Sequence, residues 1–261
     1  MNSAYKKILR LVIPALMIAI VSFGVGAAAM LQYLSLPTEH TWTENRFAPA
    51  RLVATSLKNG FENMVYNRHL WEDVTWLGVP VLKYPSDLFV YEEMIYELKP
   101  DVILDIGTYK GGSALWFATL FDLMRSSSGR VISVDIDRFP GGVPTHPRIM
   151  YLLGSSTSEE ILKQVRDSIR PGEKVMAFLD SDHHKDHVLN ELHAYSPIVT
   201  NGSYLVVEDS NINGHPVLAS WGPGPMEAIH EFLNENSEFQ IDKSRQKFLL
   251  TVAPDGFLQK R

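Results

Sequence analysis

The chain has 261 residues, no cysteine and a formal net charge of −6. Lack of cysteine excludes disulfides, zinc–thiolate sites and thiol nucleophiles. The acidic balance, with no block of Lys or Arg, excludes a general nucleic-acid binder.

The first predicted element is apolar. Residues 11–31 carry no charge, and about 20 such residues span a bilayer core of roughly 30 Å. Lys6, Lys7 and Arg10 precede the run and hold that end on the cytoplasmic side. Residues 1–35 therefore read as a single-pass N-terminal membrane anchor. A cleaved signal peptide is the alternative, because residues 24–29 supply small side chains.

Residues 36–85 are punctuated by Pro37, Pro49, Pro80 and Pro85 and read as a linker with short helices, or a lid. Trp71, Trp76, Lys83 and Tyr84 are candidates to face a substrate there, although packing is the commoner role for the two Trp residues.

Residues 86–261 alternate between strand and helix patterns. A helix over 88–98 carries Val90, Met94 and Leu98 on one stripe and stops at Pro100. Strands follow at 102–106, 131–135, 149–153, 174–180, 203–208 and 247–252. Between them, helices start near Ser113, after the capping-box pattern 156–159, at 186–195 and at Pro225. This rhythm predicts an α/β fold with a mostly parallel sheet and helices on both faces.

The stretch 102–113, VILDIGTYKGGS, organises the rest. It reads as a buried strand, a tight turn and a helix start. Such a turn offers backbone N–H groups and a positive helix end to a carboxylate or other anion, and glycine lets a ligand approach the backbone closely. The spacing Gly107-x-x-x-Gly111-Gly112 departs from the G-x-G-x-x-G of dinucleotide enzymes. In such a sheet, ligands bind beyond the carboxyl ends of the strands. Asp105, Asp135, Asp180, Glu208 and Asp209 all fall there. Like charges raise one another's pKa unless a cation intervenes, and a hard divalent ion prefers oxygen ligands. Asp135, at the end of the second strand, is placed to hydrogen-bond ribose hydroxyls. His183, His184 and His187 follow Asp180. This cluster reads as the source of a general base beside the metal position. A His183/His187 zinc pair and an iron triad through His184 and Asp186 are alternatives.

The segments WLGVPVLKYPSD (76–87), LKPDVILDIGTYKGGSAL (98–115), FLDSDHHKDHVLNELHAYSPIV (178–199), GSYLVVEDSN (202–211) and GPGPMEAI (222–229) occur in this order. Together they resemble the cephalosporin hydroxylase/rhamnosyl O-methyltransferase family, from about residue 60 to the end. The resemblance implies a Rossmann-like, S-adenosylmethionine-dependent methyltransferase fold with a magnesium (Mg2+) site, and is shared more distantly with catechol O-methyltransferases. It further implies that the turn 105–111, with Asp105, Gly107, Thr108 and Gly111, holds the methionine part of the cofactor. Asp135 binds the ribose, and Gly154, Ser155 and Ser156 approach the adenine. Asp180, Glu208 and Asp209 match the three metal ligands. His183 stands where the catechol enzymes place a lysine base. The expected activity is Mg-dependent O-methylation of a hydroxyl on a sugar, glycolipid or related small molecule. A metal-dependent hydroxylase, a non-catalytic membrane-tethered binding domain and an NAD-dependent dehydrogenase are the alternatives. The anchor makes the membrane a partner. The flanking charges put the catalytic domain on the far side, whereas a cytosolic cofactor asks for the near one, so its side stays open. The oligomeric state, a homo-oligomer included, also stays open.

Overall fold

The computed structural model describes residues 48–261. The chain divides into two compact units, Met1–Phe61 and Glu62–Arg261. What is described of the first is the beginning of helix α1 (Ala48–Asn67). The expected membrane span at 11–31 lies outside the described residues; among those described, no helix is long and apolar enough to cross a membrane.

In the second unit, a short 3-10 turn (Leu70–Asp73) and a small hairpin, β1 (Thr75–Trp76) with β2 (Val79–Pro80), lead to helix α2 (Pro85–Leu98). Pro85 opens that helix because the first turn needs no N–H there. A seven-stranded sheet follows: β3 (Val102–Ile106), β4 (Arg130–Asp135), β5 (Ile149–Leu153), β6 (Val175–Leu179), β7 (Tyr204–Val207), β8 (Phe239–Ile241) and β9 (Phe257–Lys260). Their spatial order is β5-β4-β3-β6-β7-β9-β8. The first five are parallel, and β9 and β8 close the far edge antiparallel.

Side chains alternate across a strand, so each strand feeds two cores. Ile103, Val131, Met176 and Phe178 pack under α2 and α3 (Gly112–Leu123). Leu104, Ile106, Ala177 and Leu179 face α4 (Glu159–Asp167), α5 (Lys185–Tyr195) and α6 (Pro225–Glu235). From β3 the chain runs outward through β4 and β5, then returns to place β6 on the other side of β3. This reversal opens a crevice at the carboxyl ends of β3 and β6, where doubly wound sheets bind ligands. The crevice is narrow at its floor. Gly107 has φ +107°, and a Cβ there would lie 2.0 Å from the Asp180 carbonyl oxygen. Only glycine meets both demands.

Two expectations are corrected. The apolar run 247–252 is a loop, not the last strand. Leu249 takes a left-handed conformation, φ 67°, and the Asp87 carboxylate accepts the Val252 N–H at 2.8 Å. That N–H is thus withdrawn from any ladder, while Val252 and Ala253 are buried in the α2/α3 core. The sheet edge is made instead by β8 and β9. In the 36–85 segment, α1 is a single helix of 20 residues rather than a short one.

Candidate active site

A cavity of about 660 Å³ sits over the carboxyl ends of the parallel strands. On its β4/β5 side, Gly107 and Thr108 of the glycine turn, Asp135 at the end of β4, and Ser155 and Ser156 after β5 form the wall. The turn is tied down locally. Thr108 Oγ1 and Ser133 Oγ lie 2.7 Å apart, and the Tyr109 N–H donates to Asp135 Oδ2 at 2.7 Å. The Asp137 N–H donates to the other Asp135 oxygen at 3.0 Å.

Two residues of the predicted cofactor set do not reach the wall. Asp105 is buried beneath the turn, where Ser133 Oγ and Ser113 Oγ donate to it at 2.7 and 3.1 Å. Gly111 is the N-cap of α3 with φ 77°, and a Cβ there would press on Pro144. Both shape the turn from below.

On the β6/β7 side, Asp180, His183 and Asp209 converge. Each offers one ligand atom, and these atoms all lie within 4.8 Å of one another. His183 Nε2 is 3.5 Å from Asp209 Oδ2. The third predicted metal ligand, Glu208, is placed differently. It is 2 % exposed and faces inward, accepting from Lys83 Nζ at 2.6 Å. The same ammonium donates to Asp180 Oδ2 at 2.8 Å. Lys83, a residue considered for the substrate face, is thus a buried cation clamped between two carboxylates. Of its neighbours in that segment, Trp71 and Tyr84 line the cavity. Trp76 instead packs on α3, its indole N–H donating to Thr119 Oγ1 at 2.8 Å. Tyr66 and Trp221, not singled out in the sequence, add aromatic wall. The Trp221 indole N–H donates to the His183 carbonyl at 3.2 Å, which ties the α6 approach to the metal-side loop.

The electrostatics of this corner are unbalanced. Burial alone would lower the Lys83 pKa, but Asp180 and Glu208 outweigh it and Lys83 stays charged. One ammonium then faces the carboxyl groups of Asp105, Asp180, Glu208 and Asp209. Burial, opposed by Lys83, raises Glu208 and raises Asp105 to about 6. Burial also raises Asp209 to about 6, with His183 opposing. A divalent cation fits this donor set. It would discharge the surplus, and the carboxylate oxygens suit a hard ion such as magnesium.

The pKa shifts fix the sign of a stability measurement. Burial also lifts Asp87 to about 7, against the bonds from Thr251 and Val252. The folded pKa values of Asp87 and Asp105 lie above the unfolded value of about 4. Between these limits the folded state binds more protons than the unfolded, so stability falls as pH rises. Chelator-treated protein should melt progressively lower from pH 5 to about pH 7.5 in a thermal unfolding series. A melting temperature that climbs across that window would contradict the assigned burial.

Comparison with known proteins gives the family of the chain. The family model for rhamnosyl O-methyltransferase/CmcI matches residues 68–261. The rhamnosyl O-methyltransferase of Mycobacterium leprae is 38% identical over 213 residues, covering 79% of this chain and 91% of the relative. That of Mycobacterium tuberculosis strain H37Rv is 38% identical over 204 residues, covering 76% and 82%. Among solved structures, the apo form of CmcI superposes with a TM-score of 0.56 at 22% identity, covering 72% of this chain and 76% of that one. A CmcI structure with Mg and SAM gives 0.54 at 22% identity, with 73% and 77% covered. These superpositions establish the common fold.

Proposed function

The chain belongs to the rhamnosyl O-methyltransferase/CmcI family and is an S-adenosylmethionine-dependent O-methyltransferase; we propose that it acts with magnesium on a hydroxyl of a sugar or sugar-bearing lipid. The observation that carries this reading is the single cavity wall that joins the glycine turn and Asp135 to the Asp180/His183/Asp209 cluster. A nucleoside-bearing methyl donor and a hydroxyl acceptor have to meet within one such cleft.

The chain's own groups divide the work. The turn at 107–108, just ahead of Gly111 at the N-cap of α3, would lay backbone against the amino-acid end of the donor. Asp135 offers carboxylate oxygens to the ribose hydroxyls once its two backbone partners share them. Gly154, Ser155 and Ser156 line the cavity and would border the base. Asp180 and Asp209 are the carboxylates that would hold magnesium, and Glu208 joins them only by giving up Lys83. When bound, the ion lowers the pKa of an acceptor hydroxyl and orients it. His183, beside Asp209, is the group to take that proton, since an imidazole nitrogen can accept one. Tyr66, Trp71 and Trp221 give the acceptor an aromatic wall, suited to the apolar face of a sugar ring. A cleft that would seat donor and acceptor side by side would supply much of the acceleration by positioning alone.

The relatives' name, rhamnosyl O-methyltransferase, supports a deoxysugar acceptor. The uncharged run 11–31 supports a membrane-tethered enzyme with a lipid-linked acceptor. Incubation with methyl-labelled donor, magnesium and rhamnosyl glycolipid should move label onto the sugar, and chelator should stop it. Transfer that ignores chelator, or label found only on the aglycone, would overturn the proposed acceptor chemistry.

A further inference from the structure

Glu191 lies on α5, one turn in from the cavity wall, and is 1 % exposed. One of its oxygens, Oε1, gathers three groups from the wall. Ser156 Oγ donates to it at 2.5 Å and Ser181 Oγ at 2.6 Å. His187 Nε2 is 3.2 Å from it. Its other oxygen, Oε2, is buried with no hydrogen-bond partner among the described residues. Ser156 follows β5 and Ser181 follows β6, and both line the cavity together with His187. Tyr195, one further turn along α5, fixes Ser156 from behind by donating to its carbonyl at 2.8 Å. The network is built to hold two serine hydroxyls in one orientation.

That orientation has a chemical consequence. A carboxylate only accepts, and each hydroxyl has a single proton. Ser156 and Ser181 both spend that proton on Glu191, so each presents only lone pairs to the cavity. A ligand group facing them must bring its own hydrogen. A buried acceptor set against another acceptor loses its hydrogen bond and is penalised for desolvation.

We propose that Glu191 sets the base selectivity of the donor pocket by holding Ser156 and Ser181 as acceptors, so that the pocket takes a 6-amino purine and rejects a 6-oxo purine. Glu191 acts as a positioning residue here, since it touches the two hydroxyls and not the ligand. The inference rests on the methyl-donor reading given above.

The test is calorimetric titration of the full chain with S-adenosylhomocysteine and with its 6-oxo counterpart, S-inosylhomocysteine. Wild type should prefer the amino form by about tenfold or more, the scale of one mispaired buried polar group. In Glu191→Leu no acceptor remains for the Ser156 and Ser181 protons, so both hydroxyls can turn them to the cavity, and the preference should fall to within about threefold. Ser181→Ala removes one acceptor and leaves Glu191 with Ser156 and His187, so its preference should fall partway; it decides the question if Glu191→Leu does not fold. A wild type that binds both ligands equally, or variants that keep the wild-type ratio, would overturn the role of Glu191. Folded wild type that binds neither ligand would instead overturn the methyl-donor reading on which the inference stands.

Discussion

Asp180→Ala should lower magnesium-dependent turnover by about 10³-fold while the protein stays folded. The reasoning starts from geometry. Asp180 is the residue common to both halves of the acidic corner, one oxygen on Lys83 and its carboxyl among the ligand atoms shared with His183 and Asp209. A cation polarising a reacting oxygen is worth several kcal/mol, and each ~1.4 kcal/mol is a factor of ten in rate. The fold should survive because Lys83 keeps Glu208 at 2.6 Å, and the Asp180 side chain is itself 23 % exposed. Turnover is read with labelled donor, and folding by circular dichroism. Full activity in this variant, or wild-type activity indifferent to chelator, would remove the metal from the mechanism.

Lys83→Met should have the opposite profile, with stability as the first casualty. The Lys83 side chain is 1 % exposed and that of Glu208 is 2 % exposed. Removing one partner of a buried pair strands the other, which typically costs about 3–5 kcal/mol. Glu208 would have to take up a proton or stay charged without its partner, and burial already disfavours its charged form. Urea unfolding in chelator should show the loss as a lower midpoint with an unchanged slope. The double variant Lys83→Met/Glu208→Leu should recover much of it, because an apolar pair of similar volume replaces an ion pair at little cost. A single variant as stable as wild type would mean that the pair contributes nothing and that Glu208 is free to face the cavity.

The parts of the site legible in the sequence are those built from neighbouring residues. Strand β3, its glycine turn and α3 form one continuous stretch, so their roles follow from local pattern. Asp135, Asp180 and Asp209 follow from the rule that strand ends carry the ligand groups. The rest depended on contacts between distant segments. Lys83 meets Asp180 across 97 residues, from a segment with no clear period. Glu208 and Asp209 are adjacent acids, and sequence alone could not separate them. At the end of β7 neighbouring side chains diverge: Glu208 turns into the core, and Asp209, at φ 51°, reaches the cavity. The run 247–252 looked like a strand because it is apolar, but Asp87 takes its Val252 N–H from 165 residues away. Glu191 was hidden in an ordinary amphipathic helix. Its signal is a buried acid on the inner stripe of α5, visible only once that stripe is known to face Ser156 and Ser181.

The central claim is that one cleft holds the methyl donor beside the acidic cluster. Calorimetric titration of the protein with S-adenosylhomocysteine, with and without magnesium, tests it most directly when paired with Asp135→Ala. The account predicts one-to-one binding by wild type, weakened by about tenfold or more in Asp135→Ala, as expected for a lost charge-assisted hydrogen bond. Folded protein that binds no S-adenosylhomocysteine, or an Asp135→Ala variant that binds as tightly as wild type, would contradict it.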